Sequence, residues 1–442
     1  MMYKEVGELD FPTLEMEMLL FWEERQIFDK LRRKNTGGPA FSFVDGPITA
    51  NNPRGLGVHH AWGRTYKDVF QRYKAMRGFD QRFQNGFDCQ GLWVEVEVEK
   101  ELGLNGKSEI LDYGLERFAA ACKQRVVRSA AAVTENSRRL GQWMDWEHSY
   151  YTHADSNVEH IWHFLSRCHE RDWLYKGHRV MPWCFRCGTS LSQHEMADSY
   201  RDVEHKAVYV QLPLLDRPGE KVLVWTTTPW TLCANVALAV HPDLDYVCVD
   251  GLWMGALAAR RLVADKSVSE LSKGARLLGW RYGGAFDELP AQRAVQRRIV
   301  AWQEVGADEG SGVVHIAPAC GGEDYELGKE CALDVVEPLG EDGRYREEFG
   351  EWAGRRCDEV AEDIVEHLRA RGLLYRQEQH LHRYPHCWRC GGELVHRLVD
   401  EWFIACDELR PRLIEAAETV RWVPEHAGKR MLDWLRNMDD WC

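Results

Sequence analysis

Two near-copies of one short turn stand far apart in the chain: Pro182-Trp183-Cys184-Phe185-Arg186-Cys187-Gly188 and Pro385-His386-Cys387-Trp388-Arg389-Cys390-Gly391. Each is a Cys-x-x-Cys-Gly turn, which aims two thiolates at one point while glycine permits the tight backbone. If the four thiols meet, everything between them must leave one place and return to it. Four thiolates make a closed tetrahedral zinc site of the structural kind, whereas a catalytic zinc keeps an open position. Two redox dithiols or unligated thiols are the alternatives. The repeated flanking residues favour one shared ion at Cys184, Cys187, Cys387 and Cys390. The chain holds 14 cysteines, but it is long, and Met1-Met2-Tyr3-Lys4-Glu5-Val6-Gly7-Glu8 lacks the basic-then-apolar layout of a secretion signal. Reduced thiols and metal ligation are expected over disulfides.

Between the turns the sequence changes character. Short β-like runs appear, such as Ala207-Val208-Tyr209-Val210-Gln211-Leu212 and Val222-Leu223-Val224-Trp225-Thr226, and they read as an inserted β-rich domain. A single ion would pin its incoming and outgoing strands together. The 442 residues allow two to four domains at roughly 100–200 residues each. No run approaches the roughly 20 apolar residues of a membrane helix, so a soluble, cytoplasmic chain with no membrane partner is expected. A net charge of −14 gives no support to nucleic-acid binding as a global property. Any RNA contact would need a local basic patch or further segments.

Ahead of the first turn the pattern is α/β. Leu14, Met18, Phe21, Trp22, Phe28 and Leu31 repeat at helical spacing, with Thr13 as N-cap. Phe41-Ser42-Phe43-Val44-Asp45 reads as a strand. A helix is expected from Val58 to Arg77, with an apolar stripe of Trp62, Tyr66, Val69, Phe70, Tyr73 and Met76, then a strand over Asp80–Gln84. The crossover should be right-handed and the strands parallel. Residues 108–170 read as mainly helical, and so does the chain from Asp400 onward. In a parallel sheet, ligands sit beyond the C-terminal strand ends. The Asp45–Pro47 turn, Asp88 and the helix-start pair His59 and His60 should therefore face one crevice. A helix N-terminus suits phosphate, imidazoles add hydrogen bonds as charge develops, and an acid at a strand end can receive an ammonium group. Taken singly, these residues are ordinary surface groups and a turn former. Their order favours one half of a nucleotide site.

Asp45-Gly46-Pro47-Ile48-Thr49-Ala50-Asn51 and Gly86-Phe87-Asp88-Cys89-Gln90-Gly91-Leu92 resemble two successive motifs of the isoleucyl-tRNA synthetases, class I aminoacyl-tRNA ligases. The resemblance runs over essentially the whole chain and separates it from the leucine and valine enzymes. It implies an α/β fold: the first half of a class I Rossmann-like catalytic domain, interrupted by a β-rich editing domain. The ligands it implies are ATP with Mg2+, isoleucine and tRNA(Ile), with structural Zn2+. The counterpart of the family's HIGH motif is Gly57-Val58-His59-His60, with the usual glycine and first histidine exchanged. By resemblance Gly57, His59 and His60 serve ATP. Pro47 and Asp88 hold the amino acid, with Asp88 on its ammonium. The implied divisions are an N-terminal helical segment at 1–40, the first catalytic part with a zinc knuckle at 41–199, the editing insert at 200–383, and a second knuckle with a return segment at 384–442.

The family's insert hydrolyses mischarged aminoacyl-tRNA, because one methylene supplies only about 1–3 kcal/mol of discrimination. Trp225-Thr226-Thr227-Thr228-Pro229-Trp230-Thr231 with Asn235, and Gly310-Ser311-Gly312-Val313-Val314-His315-Ile316-Ala317-Pro318 with Gly322-Glu323-Asp324-Tyr325, resemble its editing signatures. By resemblance Asp324 anchors the ammonium, and Thr226, Thr227 and Thr228 position the ester and a water. Trp230, Asn235 and His315 help to form the pocket. A threonine triplet by itself is ordinary strand sequence; the joint occurrence between the cysteine pairs carries the reading.

Full-length members of the family continue into a second nucleotide half with a lysine-bearing KMSKS loop, and into an anticodon-stem domain. No counterpart of either occurs in these residues. Aminoacylation is therefore expected to need a complementary C-terminal half, and an unpaired sheet edge is expected where that half would join. A stand-alone hydrolase of mischarged tRNA and an inactive tRNA-binding remnant are the alternatives. Retention of Pro47, His60 and Asp88 favours the ligase.

Overall fold

The computed structural model describes residues 9–442 except Ser42, Val44, Asp45 and Asp265, and it leaves out the side chains of Gln193 and His194. The strand expected over Phe41–Asp45 thus falls largely outside the described residues. The fold is mixed α/β, with a parallel sheet and a β-rich sheet. The chain divides into two compact units, Met1–Asp172 and Trp173–Cys442.

In the first unit, α1 (Phe11–Glu24) and α2 (Ile27–Asn35) stand where one helix was expected. Gln26 between them has φ +50°, a left-handed conformation that ends the first helix. The N-cap is Asp10, whose carboxylate accepts from the Thr13 N–H at 3.4 Å, so Thr13 lies inside the first turn. The parallel sheet has the order β1 (Ile48–Thr49), β2 (Gln84–Asp88), β3 (Asp145–Tyr151). Helix α3 (Val58–Met76) joins β1 to β2. Helices α4 (Leu92–Leu102), α5 (Lys107–Tyr113) and α6 (Leu115–Arg139) lie between β2 and β3, and α7 (Asp155–His169) follows. The expected strand at 80–84 is displaced to 84–88, and β3 interrupts the region read as helical. Its sequence, DWEHSYY, buries no alternating face, so periodicity had nothing to detect. Phe87, Val94, Val126, Ala130 and Val133 form the core of this sheet.

Helix α3 turns its predicted stripe outward. Trp62 is 64% exposed and Met76 78%, while Arg64, Gln71 and Ala75 are buried. The inward Arg64 has side-chain partners, while of Gln71 it is the backbone carbonyl that is bonded. Arg64 donates to Asn85 Oδ1 at 3.2 Å and to Gln142 Oε1 at 3.1 Å, and the Gln71 carbonyl accepts from Gln81 Nε2 at 2.9 Å. Satisfied polar groups can face a core. A period tells which residues share a face and leaves open which face is inside.

The second unit opens with β4 (Leu174–Cys184), β5 (Thr189–Ser190) and α8 (Gln193–Met196). There follow β6 (Tyr200–Pro213), β7 (Lys221–Thr226), β8 (Ala237–Val240), β9 (Asp245–Val249), β10 (Leu252–Gly255), α9 (Ala256–Leu262), β11 (Glu270–Lys273), β12 (Arg298–Ala301) and β13 (Val314–Ile316). Helices α10 (Gly322–Glu330) and α11 (Ala361–Ala370), strands β14 (Leu374–Pro385) and β15 (Val395–Ile404), and helices α12 (Arg410–Glu418) and α13 (His426–Asn437) come last. Strand β15 therefore precedes the helices expected from Asp400.

Strand β7 organises the large sheet. Along one side it pairs antiparallel with β6, from Val208↔Thr226 to Pro213↔Lys221. Its other side is divided: β10 pairs parallel at Lys221 and Val222, and β13 pairs parallel at Trp225. Its interior residues Val222, Leu223 and Val224 are fully buried, as a two-sided core strand requires. Strand β14 pairs antiparallel with β6 until Pro385 lies opposite Tyr200. The chain thus leaves and rejoins this sheet at one point, directly beside both cysteine turns. Strands β15, β4 and β5 form a separate antiparallel sheet that carries Cys184 at the end of β4.

Candidate functional site

A cavity of about 380 Å³ opens where β7 ends beside β13 and the first turn of α10. Thr226, Thr227, Thr228, His315 and Asp324 all line it, together with Trp225. These residues come from distant parts of the chain, and the divided pairing of β7 brings them together. Trp225 reaches its place because position 310 is glycine. Gly310 has φ +53°, and a Cβ there would lie 2.6 Å from the indole ring. Gly310→Ala is expected to cost about 1–3 kcal/mol and to push the indole out of the wall. Thermal unfolding and the near-ultraviolet tryptophan signal check this together.

Asp324 stands in the first turn of α10, and its carboxylate accepts from the Ala317 N–H at 2.8 Å. Burial pushes its pKa up from the ordinary carboxylate range to about 6, against the Ala317 hydrogen bond and with some help from Glu323. His315 lies in β13 and is buried, which lowers its pKa to about 4. The imidazole is therefore neutral near pH 7. Both its nitrogens have neighbours: Nε2 is 2.7 Å from Thr231 Oγ1 and Nδ1 is 3.3 Å from Asn235 Nδ2. The threonines bond among themselves. Thr226 Oγ1 accepts from the Thr228 N–H at 3.1 Å and lies 3.3 Å from Thr228 Oγ1.

Asn235 is buried behind His315, and Trp230 belongs to the main core, where its carbonyl accepts from the Tyr345 hydroxyl at 2.8 Å. The cavity wall does not include them. Sequence reasoning passed over Thr231, Trp302 and Tyr282. Thr231 carried a signal: Pro229 begins a 3-10 helix over Pro229–Ala234, and residues three apart eclipse in such a helix, so Thr231 stacks on Thr228. Trp302 and Tyr282 come close only through the sheet and had none.

The two cysteine turns meet. The sulfurs of Cys184, Cys187, Cys387 and Cys390 all lie within 4.8 Å of one another, with Cys184 to Cys390 at 3.5 Å and Cys187 to Cys387 at 4.0 Å. Zinc–sulfur bonds of about 2.3 Å would set the sulfurs about 3.8 Å apart, so the four donors fit a tetrahedral zinc ion. Hydrogen bonds from Cys184 and Cys187 hold the Cys387 thiol far below its ordinary range and that of Cys390 at about 6. Outside the thiols, Glu195 of α8 accepts from Trp388 Nε1 at 3.2 Å and from Arg389 Nη2 at 2.8 Å, tying the second turn to the helix that follows the first. This arrangement holds the second turn in place beside the first.

In the first unit, Gly57 is the N-cap of α3 and offers no side-chain cap, so the first-turn N–H groups carry no side-chain acceptor from it. His59 and His60 lie in that turn with ring centroids 3.9 Å apart. Burial first, then the neighbouring His59 and Arg64, lower the His60 pKa. Pro47 precedes β1. Asp88 ends β2, opposite Thr49, whose hydroxyl donates to its carboxylate at 3.0 Å. The parallel register puts Asp88 beside Thr49 at the outgoing end of β1, whereas Pro47 leads into that strand and does not follow it as the expected turn would, and the helix start is carried on the loop after Thr49.

Residues 17–442 match the family of tRNA synthetases class I (I, L, M and V). The chain is 38% identical to the isoleucine–tRNA ligase of Thermus thermophilus, covering 100% of this chain and 43% of that protein. It is 38% identical to that of Methanothermobacter thermautotrophicus, over 97% of this chain and 41% of that protein. For that of Thermobifida fusca the identity is also 38%, over 99% and 42%. The chain thus spans about two fifths of the length of these relatives. Because the family match runs through both units, from the α3 start to the second cysteine turn and beyond, the chain belongs to the class I tRNA synthetases of the isoleucine, leucine, methionine and valine group.

Proposed function

We propose that this chain serves isoleucine–tRNA ligation in the cytoplasm, and that its second unit hydrolyses valine from mischarged tRNA(Ile). The first unit contributes Gly57, His59 and His60 to ATP with its Mg2+, and Pro47 and Asp88 to isoleucine. Hydrolysis is assigned to this chain by itself. Ligation is assigned to it together with the part of the relatives' length that it does not cover. Four thiolates hold a structural zinc ion, which supplies rigidity and no chemistry.

The observation that carries the reading is one cavity holding a half-buried, desolvated carboxylate, a cluster of hydroxyls and a neutral imidazole. An aminoacyl ester presents an ammonium group, a carbonyl and a ribose hydroxyl. Asp324 pairs with the ammonium, the more strongly because its carboxylate is largely desolvated. The threonine hydroxyls bind the carbonyl side and a water. His315 is a poor base, since its nitrogens are both engaged and its pKa is low. The proton released as water attacks therefore passes to the substrate's own ribose oxygen, the leaving group. A cavity that excludes one additional methylene spares the correct ester.

The test is deacylation of Val-tRNA(Ile) and Ile-tRNA(Ile) by the purified chain, beside isoleucine-dependent ATP–pyrophosphate exchange. Hydrolysis of the valine ester alone is expected. Its kcat/KM should rise between pH 5 and 7 with a midpoint of about 6, because Asp324 must lose its proton to hold the ammonium. Absence of valine-ester hydrolysis sinks the assignment of the pocket. Exchange by this chain alone overturns the assignment of ligation to a longer assembly.

A further inference from the structure

From the cavity wall inward runs a line of polar groups, Thr228, Thr231, His315, Asn235 and Tyr282, of which the proposed hydrolysis assigns a direct role to Thr228 alone. Each link has one direction. The Tyr282 hydroxyl and Asn235 Oδ1 are 2.7 Å apart, and Asn235 Nδ2 donates to the Ala237 carbonyl at 2.9 Å. A flipped amide would set its oxygen against the Ala237 carbonyl, a contact of two acceptors, so the amide has one orientation. Its nitrogen then faces His315 Nδ1 at 3.3 Å. An amide nitrogen only donates, so Nδ1 is the acceptor and the imidazole proton sits on Nε2. That proton points at Thr231 Oγ1, 2.7 Å away. Thr231 gives its own proton to the Thr228 carbonyl at 2.9 Å. Its remaining lone pair faces Thr228 Oγ1 at 3.4 Å, as an acceptor.

We propose that Thr231 is a positioning residue of the hydrolytic pocket, aligned by His315 in a tautomer that Asn235 fixes. The relay delivers polarity to Thr228. With Thr231 able only to accept there, the Thr228 hydroxyl proton is drawn toward the protein and its lone pairs are left for the cavity. A water that donates to those lone pairs keeps its own lone pair free for attack on the ester carbonyl. Tyr282 and Asn235 are thus the far end of a device that sets the direction of one hydroxyl. The proposal rests on the editing reading of the pocket, but the tautomer can be read without any tRNA.

The experiment is a long-range nitrogen–proton correlation spectrum of the chain carrying 15N-histidine, with the His315 signals identified by their loss in His315→Asn. Wild type is expected to show Nε2 protonated. In Asn235→Asp the carboxylate can only accept, so the pattern should reverse to protonated Nδ1. Thr231→Val, which keeps the shape and removes the hydroxyl, should lower Val-tRNA(Ile) deacylation about 10- to 100-fold, the size of losing a partner that fixes an imidazole. Thr231→Ser should restore most of it. Protonated Nδ1 in wild type, an unchanged tautomer in Asn235→Asp, or full activity in Thr231→Val overturns the proposal. If wild type shows the expected tautomer yet hydrolyses no ester, the editing reading fails while the relay stands.

Discussion

Asp324→Asn is expected to slow Val-tRNA(Ile) deacylation by about 10²–10³-fold while making the protein more stable above pH 6. The loss follows from breaking a buried pair of charge and counter-charge, a change of about 2–5 kcal/mol. The gain follows from the free chain. Burial raises the Asp324 pKa from 3.8 to about 6, so the folded state holds this proton more tightly than the unfolded state does. Stability is therefore full below pH 4, falls as pH rises toward 6, and stays lowered above it. A two-unit shift corresponds to about 3 kcal/mol as an upper bound. Asparagine keeps an oxygen for the Ala317 N–H and carries no charge. Thermal unfolding at pH 5 and pH 8 should show wild type losing stability between them more than Asp324→Asn does. An acid that merely capped α10 would give the opposite sign, since its loss would destabilise at pH 8.

Removing the zinc ion proposed for the thiolate cluster is expected to unfold the neighbourhood of both cysteine turns. Structural zinc sites contribute about 10–16 kcal/mol of apparent binding free energy near neutral pH, more than the stability of a typical domain. Cys387 is fully buried and sits with Cys184 in a small cluster that includes Leu191, Met196 and Leu394. Cys387→Ser, or prolonged chelation, should release one zinc per chain by metal analysis. It should also expose amides of β4, β5 and the turn at Cys387–Cys390 to hydrogen exchange, with the pairing of β7 to β6 less affected. Full metal content in Cys387→Ser, or unchanged protection after chelation, would refute a zinc-held closure.

Much of the cavity wall was legible in the sequence. Thr226–Thr228, His315 and Asp324 sit in short segments whose local pattern survives in isolation. The cysteine turns were legible for the same reason, since repetition along the chain needs no knowledge of space. What could not be read was register and facing. Nothing in Lys221–Thr226 reveals that β10 takes the first part of one side of the strand and β13 the last. That division is why Trp225 meets Gly310. In the first unit the apolar period of α3 was visible, but Arg64 finds buried partners in Asn85 and Gln142, and the face that carries it turns inward and leaves the stripe outside. Strand β3 was hidden because no face of it alternates. Tyr282 lies remote in sequence from Asn235 and has no motif around it, so only the sheet reveals the pair.

The β6–β14 ribbon, with Tyr200 opposite Pro385, has a consequence for how the chain folds. Tethering the ends of so long a loop costs about 4–5 kcal/mol of chain entropy. The ribbon and the thiolate cluster offset that cost locally, at the loop's own base, so the remainder of the polypeptide need not contribute to it. A segment closed in this way behaves as a detachable module. It can be lengthened, shortened or moved to another host with little effect outside its base, provided the two turns travel with it. Excision at the ribbon's foot, with Cys184–Cys187 and Cys387–Cys390 retained, is the cut that respects this closure.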